Sequence, residues 1–332
     1  MLVAVDAQNP DSEVILRAAE ILRRGGLVAF PTETVYGLGA NALDATAVAR
    51  IFEAKARPAW NPVIAHVSNA EDARRLTTFW PESATQLAMA FWPGPLTLVL
   101  PKADIVPDIV SAGMRSVALR VPSHAVARAL IAAAGFPIAA PSANRFTQLS
   151  PTTAAHVEAG LGERVDLILD GGRSDVGIES TVVDLTNDDP VILRPGVISR
   201  DTIMRVLGVS VAVASKPEAG DAPRLSPGMM DRHYAPRADV WLFDSSNMNE
   251  LRQSTSQRPE ASVAALVLDW SLSLPDTVRA IPMPNDPLAY ARALYATLHD
   301  LDLASYAIVA IERPPVTDAW AGVHDRLSRA AH

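Results

Sequence analysis

The chain has 332 residues, about twice the length of an ordinary domain, and its 49% hydrophobic and 20% charged residues exclude wholesale disorder. Its net charge of −8 is shared equally by the two sides of residue 206, so neither half is a basic module that could spread over nucleic acid. Cysteine is absent, which excludes disulfides, thiolate nucleophiles and Cys-ligated zinc together.

The opening MLVAVDAQNPDSEVI lacks a basic segment and meets Asp6 early, unlike a signal peptide. No apolar run approaches the roughly 18 residues of a membrane span. A soluble, cytoplasmic protein with no membrane attachment is expected. From Ser12 to Arg24 an apolar stripe of Val14, Ile15, Ala18, Ala19 and Leu22 predicts a helix ended by Gly25-Gly26. Leu27–Phe30 follows as a buried strand, and Asp44 caps a helix carrying Val48, Ile51 and Phe52. Strands are predicted at Val63–Val67, Leu96–Leu100, Val117–Val121 and Ile138–Ala140, with helices starting near Ser123 and Thr152. Asp166–Asp170, Thr181–Leu185 and Val191–Leu193 form a further group with few helices between them. That mixture predicts an α/β fold with a twisted, mixed-direction sheet and flanking helices, ending after a helix near Thr202–Leu207.

Residues 208–237 are rich in proline and glycine without periodicity, and read as a linker that nevertheless contains SPGMMDRHYAP. Beyond it, Val240–Phe243, Val263–Leu268 and Ile308–Ile311 are predicted strands. Asp286-Pro287 opens a helix with Leu288, Leu294, Leu298 and Leu301. The predicted organisation is therefore a first α/β domain over 10–207, a linker over 208–237, and a small α/β domain over 238–332.

Several familiar chemistries are missing. There is no Walker loop, no complete dinucleotide fingerprint around Gly37-Leu38-Gly39, no HExxH helix and no GxSxG elbow. The seven histidines lack metal-ligand spacing. The densest polar constellation is residues 30–62, where Thr32 and Thr34 follow a strand's carboxyl end and Gly37 and Gly39 permit close backbone approach. Lys55, Arg57 and Asn61 there are either a helix end with cations at its negative pole or a donor cluster for polyphosphate. In RSVALRVP, Arg120 lies on a short apolar strand and needs a partner, either a structural carboxylate or an anionic ligand. His66 poses the same choice between core and ligand. Ser142, Asn144, Ser150, Ser180 and Arg194 either cap local structure or line a crevice.

In combination, PTETVYGLG, KARPAWNP, WPGPLTLVL, RSVALRVP, APSAN, SPT, GIESTVVD and ILRPG, in that order over residues 12–207, resemble the YrdC-like family. SPGMMDRHYAP at 226–236 resembles the linker of its longer, two-domain threonylcarbamoyl-AMP synthases. Two positions depart from the family pattern: Ala56 stands where glycine is usual, and Val63 where leucine is usual. The resemblance implies a YrdC-like sheet domain followed by a smaller Rossmann-like α/β domain. It implies a nucleotidyltransferase that condenses L-threonine, bicarbonate or CO2, and ATP into threonylcarbamoyl-AMP and pyrophosphate, for threonylcarbamoyladenosine formation in tRNA. Carried over by position, Thr32, His66, Arg120 and Ser180, with the Ala140 backbone, would hold L-threonine. Arg57, Asn61, Ser116, Ser142, Ser150, Arg194 and Tyr234 would hold ATP, with Lys55 and Arg57 acting catalytically on the phosphates beside Mg2+. Residues 226–236 would close as a lid, and the product would pass to tRNA threonylcarbamoyl-transfer proteins, with direct tRNA contact left open. The alternatives are an RNA-binding protein without turnover and a carbamoyl-adenylating relative of the hydrogenase-maturation kind.

Overall fold

Asp11 accepts hydrogen bonds from the amides of Glu13 and Val14 and so starts the helix Ser12–Arg23, which buries Ile15, Ala18, Ala19 and Leu22. Asp44 caps the helix Ala45–Lys55 in the same way. The computed structural model describes residues 1–214, 234–244, 262–268, 272 and 274–331.

The first domain is built on strands β1 (Leu2–Ala4), β2 (Val28–Phe30), β3 (Gly37–Asn41), β4 (Ile64–His66), β5 (Leu96–Pro101), β6 (Ser116–Arg120), β7 (Ile138–Ala139), β8 (Leu167–Asp170), β9 (Thr181–Asp184), β10 (Val191–Arg194) and β11 (Ala212–Val213). They form one sheet in the order β1-β8-β2-β3-β7-β4-β6-β5-β9-β10-β11. Parallel pairs such as β4 with β6 alternate with antiparallel ones such as β5 with β6, so the expected mixed-direction sheet is present. Helices Ser12–Arg23 and Ala125–Ala134 cover one face with a core around Leu22, Phe30 and Leu130. Helix Ala45–Lys55 and its neighbours cover the other, around Ile51, Leu98 and Leu119.

The structure corrects several local expectations. The segment Gly37–Asn41, to which no element was assigned, is strand β3, paired with β2 and β7. Gly37 does line the cavity described below, but Gly39 packs inside the sheet. A Cβ there would stand 2.7 Å from Phe30 Cε1 and 2.9 Å from Ile138 Cγ2. Strand β1 and the helices Ala70–Arg74 and Glu82–Phe91 were not expected. The buried face of Glu82–Phe91 is only Ala84, Leu87 and Ala88, too small to announce itself as a stripe. Strand β11 runs parallel beside β10, so the sheet extends past the predicted boundary at 207. The predicted lid residues 226–233 lie outside the described residues. Tyr234 is described, and Ala235 forms a bridge to Gln148.

Strands β12 (Asp239–Phe243), β13 (Val263–Val267), β14 (Val278–Pro282) and β15 (Ile308–Glu312) make a second, all-parallel sheet in the order β12-β15-β13-β14. Asp286 caps helix Pro287–Leu303, with proline in the first turn as expected. Its buried face is Tyr290, Leu294, Tyr295, Leu298 and Leu301, whereas Leu288 is exposed. Strand β14 and the last helix, Ala321–Ala330, escaped the sequence pattern. This domain shares its core with the first: Val35, Leu149, Ile178 and Tyr234 join Tyr290, Leu294, Trp320 and Val323. Gly322 opens the last helix against Gly196, where an added Cβ would meet the Gly196 carbonyl oxygen at 2.7 Å. Among the described residues no helix is long and apolar enough to cross a membrane.

Candidate active site

Strands β4 and β6 run parallel with His66 directly opposite Arg120, so both side chains emerge at the same sheet end. Thr32 follows β2, Ser142 follows β7 and bridges to Gly37, Ser180 precedes β9, and Arg194 ends β10. Together with Arg57 and Tyr234, these residues line one cavity. The cavity, which opens to solvent, offers ≈ 40 Å³, room for about three waters.

At one end, Arg120 is 4% exposed and already has a partner. Its Nη2 lies 2.7 Å from Glu33 Oε1, an electrostatic contact whose angles fall short of a hydrogen bond. Its Nη1 donates to Thr34 Oγ1 at 2.8 Å and its Nε to the Gly94 carbonyl at 3.2 Å. Glu33 in turn accepts from the Ser123 amide. The structural-carboxylate alternative for Arg120 is therefore realised, and N–H groups remain for a second anion, because a guanidinium carries five. Thr32 Oγ1 is turned into its own loop, donating to the Val35 carbonyl at 2.6 Å. His66 is 3% exposed and edge-on to Phe30, and its Nδ1 has no hydrogen-bond partner. Burial and the Arg120 charge lower its pKa to about 3, so the ring is neutral at physiological pH.

The other end is cationic. Arg57 Nη2 donates to Asn61 Oδ1 at 2.6 Å and to the Pro62 carbonyl at 2.8 Å, with Phe146 against its face. Burial lowers its pKa to about 10, Tyr234 opposing and Arg194 adding to the fall, and it stays charged. Arg194 donates to the Ser180 carbonyl at 3.1 Å and the Ser180 hydroxyl at 3.1 Å, and lies 3.4 Å from Tyr234 Oη. Ser180 Oγ also meets Thr97 Oγ1 at 2.7 Å.

Four predicted residues lie outside the cavity lining. Lys55 is 1% exposed and its ammonium donates to the carbonyls of Ser142 and Asn144. Burial and then the Arg57 charge push its pKa well below the usual lysine value. It ties down the APSAN turn and does not face the cavity. Asn61 reaches the site through Arg57, Ser116 is buried in β6 opposite Pro101, and Ser150 donates its hydroxyl to Glu179 Oε1. Conversely, Glu33 and Glu179 were missed. Glu179 lines the cavity directly before Ser180. Burial would raise its pKa, but Arg326 and Arg194 outweigh that and hold the carboxyl below its usual range. The signal for Glu33 was the unpaired Arg120, which called for an acid without saying which one.

The Sua5/YciO/YrdC family model, described as telomere recombination, matches residues 20–196. A second model, described as the threonylcarbamoyl-AMP synthase C-terminal domain, matches residues 198–332. A threonylcarbamoyl-AMP synthase of Pyrococcus abyssi is 40% identical over 344 residues, covering 100% of this chain and 98% of that protein. One from Bacillus subtilis is 39% identical, covering 98% of this chain and 95% of that protein.

The chain is an enzyme of the threonylcarbamoyl-AMP synthase family. Its fold agrees with the crystal structure of P. abyssi Sua5 complexed with L-threonine, at a TM-score of 0.91 and 37% identity, covering 100% of this chain and 97% of that one. The E. coli YciO structure matches at a TM-score of 0.53 and 29% identity, covering 59% of this chain and 96% of that one. This synthase-family chain therefore has the two-part architecture of its longer relatives, with its second family match beginning at residue 198, four residues after Arg194 closes β10.

Proposed function

We propose that the enzyme makes threonylcarbamoyl-AMP from L-threonine, bicarbonate-derived CO2 and ATP, releasing pyrophosphate, and that the product supplies threonylcarbamoyladenosine formation in tRNA. The observation that carries this is a single cavity lined by Arg120 with neutral His66 and by Arg57 with Arg194, cations that two anionic substrates could share. The similar Sua5 from P. abyssi has been crystallised with L-threonine, which supports an amino acid in this cavity.

In this mechanism Arg120 holds the threonine carboxylate through the N–H groups that Glu33, Thr34 and Gly94 leave free. The orphaned Nδ1 of His66 takes the threonine hydroxyl, aided by Thr32, Ser180 and the Ala140 backbone. The deprotonated amine attacks CO2, forming a C–N bond and losing a proton to give a carbamate. A carbamate oxygen then attacks the ATP α-phosphorus, and the bond to the β-phosphate bridging oxygen breaks to release pyrophosphate. No covalent link to the protein forms. Arg57 and Arg194, with Ser142 and Tyr234, hold and neutralise the phosphates, so catalysis is positioning plus charge stabilisation. Asn61, Ser116 and Ser150 act from behind the lining in this scheme, and Lys55 acts by fixing the Ser142 turn.

Among the described residues no cluster of three or more His, Asp or Glu could cage a metal. A Mg2+ carried by ATP would add its charge to that of Arg57 and Arg194 on the phosphates. Of the expected lid, residues 226–233 lie outside the described residues, and Tyr234 at its end lines the cavity. The proposed units are 10–207 for catalysis, with β1 and β11 extending its sheet at either end, 208–237 as linker and 238–332 as the C-terminal unit, and the proposed setting is the cytoplasm.

The test is pyrophosphate release from ATP with threonine and bicarbonate each withheld in turn. Release that needs both is expected, and release indifferent to threonine refutes the reaction. RNA binding without ATP turnover would instead favour the binding-protein alternative.

A further inference from the structure

The C-terminal domain reaches the wall of the cavity through three side chains. Arg326, in helix Ala321–Ala330, is 1% exposed, and its Nε lies 2.6 Å from Glu179 Oε2. Its other nitrogens donate to the Glu179 carbonyl at 3.2 Å, the Pro195 carbonyl at 3.0 Å and Asp325 Oδ2 at 2.6 Å. Tyr295, in helix Pro287–Leu303, donates to the same Glu179 oxygen at 3.2 Å. One turn on, His299 Nε2 meets the Ser150 carbonyl at 3.1 Å, while Ser150's hydroxyl donates to Glu179 Oε1. The Arg326 guanidinium also lies over the Tyr234 ring, 5.3 Å from its centroid.

Glu179 is chemically out of place on a wall built for polyphosphate. An ionised carboxylate beside Arg57 and Arg194 repels the phosphates those arginines attract. A fully buried cation directly behind it cancels that charge without competing for the ligand, because Arg326 itself does not line the cavity.

We propose that Arg326 is a positioning residue of the C-terminal domain that neutralises Glu179, so that the cavity wall presents net positive charge to the triphosphate. This rests on the proposed function and gives the second domain a part in nucleotide affinity. A purely structural ion pair makes a different prediction: breaking it from either side would harm both substrates alike. The charge argument predicts opposite signs for the two halves of one pair.

The experiment measures KM for ATP and for threonine, with calorimetric ATP affinity, in full-length Arg326→Gln, Glu179→Gln and the double variant. Arg326→Gln should raise the ATP KM by at least about tenfold, since one uncompensated charge several ångströms from a polyphosphate at an effective dielectric near 20 is worth more than a factor of ten. Its threonine KM should move far less. Glu179→Gln should lower the ATP KM, since Arg326 keeps Asp325 as a partner. The double variant should recover most of the ATP affinity lost in Arg326→Gln. An ATP KM raised by both single variants, or equal shifts for both substrates, overturns the proposal. If Arg326→Gln does not fold, the sign of the Glu179→Gln shift decides it. Unaltered protein that releases no threonine-dependent pyrophosphate refutes the proposed reaction instead, and calorimetric ATP affinity then decides the role of Arg326.

Discussion

Glu33 and Arg120 form an ion pair of 2.7 Å with side chains only 8% and 4% exposed. The Arg120 guanidinium is therefore held in one orientation, with Thr34 and Gly94 fixing the rest of its fork. Burying these charges is tolerable because each compensates the other, and the guanidinium stays pre-set for a second carboxylate.

Removing one partner exposes the cost of burying the other. Arg120→Ala should lose about 3–5 kcal/mol of stability by leaving Glu33 buried and unpaired. It should also raise the threonine requirement sharply. Denaturant melts and threonine titrations of the variant check both, and an unchanged threonine KM would remove Arg120 from the substrate site.

Ala56 explains its own departure from the family pattern. It closes helix Ala45–Lys55 in the left-handed region, with φ 50° and ψ 42°. A Cβ there clashes with the following carbonyl, and glycine escapes that cost. Ala56→Gly should stabilise the protein by about 0.5–1 kcal/mol after the greater freedom of glycine in the unfolded chain is counted. A raised denaturation midpoint with unchanged slope is the expected result.

Acid should weaken the fold through its histidines. Burial lowers His66 to about 3 and, aided by the His299 and Arg173 charges, lowers His156 to about 4. Unfolding restores both toward 6.5, so the unfolded chain binds more protons between those values and stability falls as pH drops below about 6.5. Above it, this contribution is fully present. The carboxyls of Glu179 and Asp325 are held low in the fold, so their contribution is lost only at still lower pH. His156→Phe keeps a ring stacked on His299, now at 3.8 Å, and removes one titrating group. Its melting temperature should fall less steeply than that of the unaltered protein from pH 6.5 to 4.5.

Lys55→Met keeps the buried stem and removes the ammonium from the carbonyls of Ser142 and Asn144. Each orphaned buried acceptor costs about 1–3 kcal/mol. Faster amide exchange around residues 142–146 and a weakened nucleotide affinity are expected, with threonine affinity little changed. Loss of activity without any change in that turn would instead place Lys55 on the substrate.

Local order wrote much of the fold into the chain. Helix Ser12–Arg23 was legible because Asp11 and the apolar stripe act within a few residues of one another. Arg120, His66, Arg57, Arg194 and Ser180 were legible as candidates because polar groups at the ends of buried strands need a reason. Strand β3 was not, because its glycines carry no side-chain pattern and are strands only by pairing with β2 and β7. On the residues alone, Lys55 stayed open between a helix-end cation and a phosphate donor, because a cation at a helix end gives no hint of which way it turns; here it turns to the carbonyls of Ser142 and Asn144.

By itself the sequence determined the α/β class, the two-part organisation and most of the residues that gather at one cavity, since these follow from periodicity, capping and the ordered motifs. Only the tertiary structure decided which acid meets which base: Glu33 with Arg120 across 87 positions, and Glu179 with Arg326 across 147. Charge pairing acts through space at a few ångströms, and no local pattern encodes which distant segments will come that close.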